Sequence, residues 1–209
     1  MNRQTIVVAG GALVLVVAVV VAMIAFMGSS DGGAETMTMG DGQTMATSDM
    51  PADAASTDVS FDQAFIDAMV PHHRSAIAMA NAALDAGLKE PQLRSIAQAI
   101  VDNQQDEIDR MLEWRRQWYG SAELGPDAGD QLGMSMDDMG MAGDPATLTS
   151  SGNVDADFAS MMIVHHDGAI AMAQMAPERS KREEIRTLAQ AIITAQEDEI
   201  ATMKPFAEE

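Results

Sequence analysis

Four histidines, arranged as two adjacent pairs, are the residues of this chain best suited to bind a metal ion. They are His72, His73, His165 and His166. The chain contains no other histidine and no cysteine. Met69 and Met162 lie three residues before the first histidine of each pair, a helical spacing that lets a thioether approach the rings. Imidazole nitrogen with soft thioether sulfur favours copper, Cu(I) especially, over magnesium or calcium.

The two histidine pairs belong to an internal repeat of two predicted helices. The segment 65–80 is matched by 158–173, and 96–111 is matched by 188–203. In the first segment of each copy the histidines fall on an apolar stripe of helical period. Two helices joined by a short turn pack antiparallel. The repeat therefore predicts an all-α four-helix bundle made of two helical hairpins.

Each second helix carries a glutamine and a glutamate on its predicted inner side. These residues are Gln104, Glu107, Gln196 and Glu199. They are predicted either to accept hydrogen bonds from the imidazoles or to form a buried polar layer that sets the helix register. Di-iron bundles use Glu-x-x-His on two helices, but here methionine takes the place of that glutamate. This difference favours copper over iron, although another transition metal is an alternative.

The N-terminal part of the chain is predicted to be a membrane anchor followed by a tether. Ile6 to Met27 is almost wholly apolar and long enough to span a bilayer. Arg3 precedes it, and no Lys or Arg follows until Arg74, so the C-terminal part is expected outside the cytoplasm. The predicted layout is an anchor at 1–28, a flexible tether at 29–57 and the bundle at 58–206. The alternative is a cleaved signal peptide, which would leave a secreted or periplasmic protein.

Eight methionines lie in the tether and in the long connection 120–152. They are Met37, Met39, Met45, Met50, Met134, Met136, Met139 and Met141. Exposed methionine gains nothing from packing, and Met-x-Met spacing presents several thioethers to one soft ion. We expect these methionines to form weak, exchangeable copper sites in mobile segments. The alternative is that they accumulated by drift in low-complexity sequence and have no function.

The formal net charge of −20 at pH 7 restricts the classes of partner. A strongly acidic protein is repelled by nucleic acid and by anionic lipid, and it accumulates cations. Solubility outside the cell explains the charge equally well. We therefore expect a metal ion as partner and no nucleic acid; a copper-handling protein or a second copy of the chain is a further candidate partner.

The repeated motif Phe-x-x-x-Met-x-x-His-His-x-x-Ala-Ile-x-Met-Ala, followed by Gln-x-x-Glu-Ile-x-x-Met, resembles the bacterial family named "domain of unknown function 305". The resemblance covers about 58–206 in two copies and implies a ferritin-like bundle. Some members are methionine-rich periplasmic copper-binding proteins, which implies copper binding here. The ligands implied by position are Met69, His72, His73, Met79, Met111, Met162, His165, His166, Met172 and Met203. Ser75 in the first copy is replaced by Gly168 in the second.

Three functions remain open from the sequence. The favoured one is an extracytoplasmic copper-binding protein for copper buffering, transfer or tolerance. The second is a redox enzyme with a metal centre in a ferritin-like bundle, although no nucleophile–base pair or phosphate-binding loop is evident. The third is a structural or interaction module without metal, in which Met111, Met203 and their neighbours are simply core residues.

Overall fold

The structure is a computed structural model that describes residues 59–126 and 128–207. Its elements in chain order are α1 (Phe61–Ala86), α2 (Pro91–Tyr119), α3 (Ala128–Leu132), a 3-10 helix (Pro145–Ser150), α4 (Val154–Ala173), α5 (Ala176–Arg179) and α6 (Glu183–Ala207). These described ranges contain no β-strand. The prediction of an all-helical fold is confirmed.

The four long helices form two hairpins. α1 packs along α2, and α4 packs along α6, as the repeat predicts. The two hairpins meet chiefly through α1 and α4, the helices that carry the histidines, whereas α2 and α6 touch at few positions. The histidine helices therefore lie side by side in the centre of the fold.

Local sequence signals explain where the long helices begin and end. Ser60 caps α1 by accepting a hydrogen bond from the Gln63 amide over 3.3 Å, and Asn153 caps α4 in the same way. Gly87 ends α1 with a left-handed φ of 86°, which glycine adopts without strain. Pro91 occupies the first position of α2, where its missing amide hydrogen has no consequence.

The predicted membrane anchor and tether, 1–28 and 29–57, lie outside the described residues. Across the part of the chain that is described, every helix is too short or too polar to span a bilayer.

The connection between α2 and α4 is more ordered than its sequence indicates. It contains α3 and the 3-10 helix, and Met134 and Met139 are only 7% and 6% exposed. Met136 is 54% exposed. The expectation that all methionines of this connection are exposed is thus wrong for two of them. They pack into the apolar core because a turn closed by Ser135 and Asp138 folds the segment back on the bundle.

Candidate metal centre

The four histidines meet in one buried layer where α1 and α4 cross. Each is at most 1% exposed. The rings of His72 and His165, equivalent residues of the two copies, lie 3.8 Å apart between centroids with their planes at 41°. The repeat thus places its two copies of the His-His motif against each other.

The outer histidine of each pair bonds a glutamate of its own hairpin. His73 Nε2 lies 2.7 Å from Glu107 Oε2, and His166 Nε2 lies 2.7 Å from Glu199 Oε2. A carboxylate accepts, so each Nε2 carries the hydrogen, and Nδ1 is the nitrogen through which the ring in its neutral form can bind a metal ion. The first of the two roles predicted for the glutamates, accepting from the imidazoles, is the one that the geometry favours.

The inner histidines have unequal surroundings. His72 Nε2 is 2.8 Å from the Met139 carbonyl oxygen, to which it donates, whereas neither nitrogen of His165 has a partner among the described residues. No residue type indicates this carbonyl contact in advance, because every residue supplies a backbone oxygen. The one signal was the glycine at 168.

Two glycines permit the segment around Met139 to lie directly on α4. A Cβ atom at Gly168 would stand 2.1 Å from the Met139 carbonyl oxygen, far inside van der Waals contact. Gly140 has a φ of +67°, and a Cβ there would stand 2.2 Å from the Val164 carbonyl oxygen. The connection can therefore reach His72 only because both positions lack a side chain.

Burial keeps the inner histidines neutral. Burial, reinforced by the nearby ring of His73, lowers the pKa of His72 from 6.5 to about 3. Burial and the neighbouring ring of His72 likewise lower the pKa of His165 far below its usual range. A neutral imidazole has a lone pair available, so both rings are in the form that binds metal at neutral pH.

Six predicted methionine ligands form two sets, one in each of two apolar clusters. The first set is Met69, Met111 and Met172, and the second is Met162, Met203 and Met79. Each set combines two residues of one copy with one of the other. In α1 and α4 a member of one set lies before the histidines and a member of the other set lies after them. The helices therefore run antiparallel, with the histidines at their crossing and a methionine set towards each end.

Five histidine nitrogens in this layer have no hydrogen-bond partner within the described ranges. These five open nitrogens are His72 Nδ1, His73 Nδ1, His165 Nδ1, His165 Nε2 and His166 Nδ1. Burying a polar atom without a partner costs about 1–3 kcal/mol, so such atoms are rare in folded proteins. A neutral imidazole has one nitrogen with a lone pair, so the layer offers a transition-metal ion one open nitrogen from each of the four rings. However, no three His, Asp or Glu side chains within the described residues are grouped closely enough to hold one by themselves.

Comparison with known proteins identifies the family. The family described as "Domain of unknown function (DUF305)" matches residues 19–115 and 62–207. This chain belongs to the DUF305 family. The resemblance inferred from the repeated His-His motif is therefore confirmed. No curated protein matches the chain.

Solved structures of similar proteins include metal-bound forms. CopM in its Cu(I)-bound form is 32% identical over 70% of this chain and 95% of its own, with a TM-score of 0.60. CopM has also been solved in Cu(II)-bound and Ag-bound forms. A DUF305 protein from Streptomyces coelicolor is 26% identical over 69% of this chain and 90% of its own, with a TM-score of 0.63.

Proposed function

We propose that this DUF305 protein binds copper outside the cytoplasm, through its histidine pairs and the methionine sets beside them, and that it buffers or transfers the ion. The observation that carries the proposal is the buried layer with its five open nitrogens. A packing role leaves these atoms with an uncompensated desolvation cost, whereas coordination gives one nitrogen of each ring a partner.

The choice of copper rests on the donor types. The layer supplies neutral imidazole nitrogen, and the adjoining clusters supply thioether sulfur. Soft sulfur with imidazole suits Cu(I), and imidazole alone suits Cu(II). CopM, similar over most of the bundle, has been solved with Cu(I), Cu(II) and Ag. These facts support copper or a chemically similar soft ion as the cargo.

The residues around the layer would prepare it for the ion. Glu107 and Glu199 would hold the outer rings with Nδ1 free, which fixes the donor atom before the metal arrives. The apolar clusters on either side would limit the access of competing water to the donors. The ten residues proposed as ligands are those named from the family motif above.

Metal selectivity tests the proposal. The full chain, purified without a histidine tag, is expected to compete with a Cu(I) chelator and to bind Cu(I) far more tightly than Fe(II) or Mg(II). Retention of iron in preference to copper would contradict the proposal and favour a redox enzyme.

Replacing the histidines separates coordination from packing. Changing His72, His73, His165 and His166 to Gln is expected to abolish tight copper binding while helicity, followed by circular dichroism, is kept. Ligand residues often cost stability until metal binds, so their loss need not unfold the bundle. If helicity is lost and each molecule that remains folded binds copper as before, these residues serve packing alone.

We also propose the domain layout inferred from the sequence. Residues 1–28 would anchor the protein, 29–57 would act as a tether, and 58–206 would form the bundle outside the cytoplasm. Membrane fractionation, with extraction by detergent but not by high salt, tests the anchor. Recovery of a shortened soluble chain would instead support a cleaved signal peptide.

A further inference from the structure

A small groove between α2 and α6 follows the symmetry of the repeat. Its walls are formed by Asn103, Gln104 and Glu107 from α2 and by Ala195, Gln196 and Glu199 from α6, with one isoleucine from each helix. Each residue of one wall is the repeat equivalent of a residue of the other. The groove thus lies where the two hairpins face each other and where α2 and α6 make few contacts.

Two glutamates of the groove also contact the histidine layer. Asn103 and Ala195 are exposed, and the Glu107 and Glu199 side chains are 20% and 18% exposed. The same two carboxylates bond His73 and His166, which are completely buried. Each glutamate therefore borders both the groove and the candidate metal centre.

The groove contains unused oxygen donors. Gln104 and Gln196 are only 5% and 3% exposed, and their Oε1 atoms have no partner among the residues that the structure describes. If these glutamines served only to fix the helix register, their buried oxygens would be expected to accept hydrogen bonds. Two carboxamide oxygens beside two carboxylates instead form a set that attracts a cation.

The size of the groove restricts what it can hold. Its cavity is about 30 Å³, enough for a metal ion or for one or two water molecules but not for an organic ligand. No Lys or Arg occurs among its described lining residues. The combination of small size, acidic groups and oxygen donors indicates a metal cation.

We propose that this groove is the route by which a metal cation reaches the histidine layer, with Gln104, Gln196, Glu107 and Glu199 as transient oxygen ligands. This inference rests on the proposed function, copper binding by the histidine layer, and adds the path by which the ion enters. Oxygen donors attract cations by charge and hold soft ions weakly, so the ion moves on to nitrogen and sulfur. The groove would thus admit ions by charge, and the histidines and methionines would select them by softness.

A charge placed in the groove tests the route. In the variant Asn103→Lys/Ala195→Lys two exposed residues of the groove gain positive charge. The control variant, Gln105→Lys/Ala201→Lys, adds the same charge at exposed positions of the same helices outside the groove. Uptake of Ag(I) by the full chain, in chloride-free buffer, is followed by stopped-flow with a silver-sensitive dye. Both variants retain the tether methionines, so uptake by these is common to them.

We expect the groove variant to take up Ag(I) about five- to tenfold more slowly at low ionic strength, with its equilibrium affinity within about twofold of the wild type. The control should slow uptake by less than about twofold. Equal slowing in both variants, or slowing in neither, would overturn the route while leaving metal binding intact. Failure of the wild type to bind Ag(I) would overturn the proposed function itself.

Removal of the oxygen donors gives a second, independent measurement. Gln104→Leu/Gln196→Leu keeps the side-chain size but removes both carboxamide oxygens, and it should also slow uptake. Because these two residues are buried, helicity must be compared with the wild type. If this variant does not fold, the exposed lysine variants still decide the question. Wild-type uptake by a folded variant would contradict the role of the glutamines.

Discussion

The two copies of the repeat agree at the outer histidines and differ at the inner ones. His73 and His166 each bond a glutamate of their own hairpin at 2.7 Å. His72 bonds the Met139 carbonyl oxygen, while His165 has no partner within the described ranges. The equal part comes from the duplicated sequence, and the unequal part comes from the connection between α2 and α4, which contacts both histidine helices but supplies a carbonyl oxygen to His72 only.

This difference shows how one connection can make two identical ligand sets unequal. The connection can lie on α4 because the second copy has Gly168, whereas the first has Ser75. His72 is consequently held in one orientation by a hydrogen bond. No such bond fixes His165, so either of its ring nitrogens can carry the lone pair that binds a metal ion. We expect the two halves to contribute equally through their glutamates and unequally through their inner histidines.

Acid should destabilise the metal-free protein by the largest amount. The pKa of His72 is about 3 in the folded state and near 6.5 when the chain is unfolded, and that of His165 is also lowered. Between these values the unfolded chain binds more protons, so stability is complete above pH 6.5 and decreases as the pH falls towards 3. The loss should be on the order of several kcal/mol, measured by urea unfolding at a series of pH values.

The variant His72→Gln/His165→Gln provides the control for this pH dependence. It removes both inner imidazoles, so its free energy of unfolding should change less between pH 6.5 and 3. The carboxylates of the protein titrate in both proteins and cancel in the comparison. An identical pH dependence in the two proteins would show that the inner histidines are not kept neutral by the fold.

Loss of either glutamate should weaken copper binding by the next largest amount. Glu107→Gln and Glu199→Gln each remove the carboxylate that orients an outer ring, an effect that typically costs 10- to 100-fold in metal affinity. Because the two hydrogen bonds have the same length, the two losses should agree within about threefold. Cu(I) competition titration measures both. A large loss for only one variant would contradict the equivalence of the outer histidines.

The sequence predicts the repeated features of this molecule well and the unrepeated features poorly. The hairpins and the position of the histidines on them follow from helical period and from residue types that recur at fixed spacing, whereas the glutamates are predicted only as one of two alternatives. The position of the connection does not, because it depends on a carbonyl oxygen and on space left by glycine. Met134 and Met139 illustrate the limit: a spacing that suggests exposed thioethers also occurs where two of them are buried.

A methyl group at position 168 should displace the connection. In Gly168→Ala the new Cβ would lie 2.1 Å from the Met139 carbonyl oxygen. We expect a net destabilisation of about 1–2 kcal/mol, because the overlap outweighs the gain in helix propensity. The matched change in the first copy, Ser75→Ala, should alter the free energy of unfolding by less than about 0.5 kcal/mol. Stabilisation of Gly168→Ala would show that the connection does not lie firmly on α4.

Replacing an exposed or a buried methionine of the connection should have the smallest effects, on the rate of copper loading in one case and on stability in the other. Met136→Leu is expected to leave the free energy of unfolding within about 0.5 kcal/mol, because the side chain is 54% exposed. Met136→Leu should also slow copper loading by roughly threefold or less, because one of several thioethers expected to bind the ion weakly before it reaches the bundle is lost.

Met139→Leu should cost about 1 kcal/mol of stability because its buried side chain must repack. Its effect on the loading rate of the folded protein should be no larger than that of Met136→Leu. Urea unfolding and stopped-flow loading separate the two quantities, and an affinity loss in Met136→Leu comparable to that of the glutamate variants would make the exposed methionine a primary ligand.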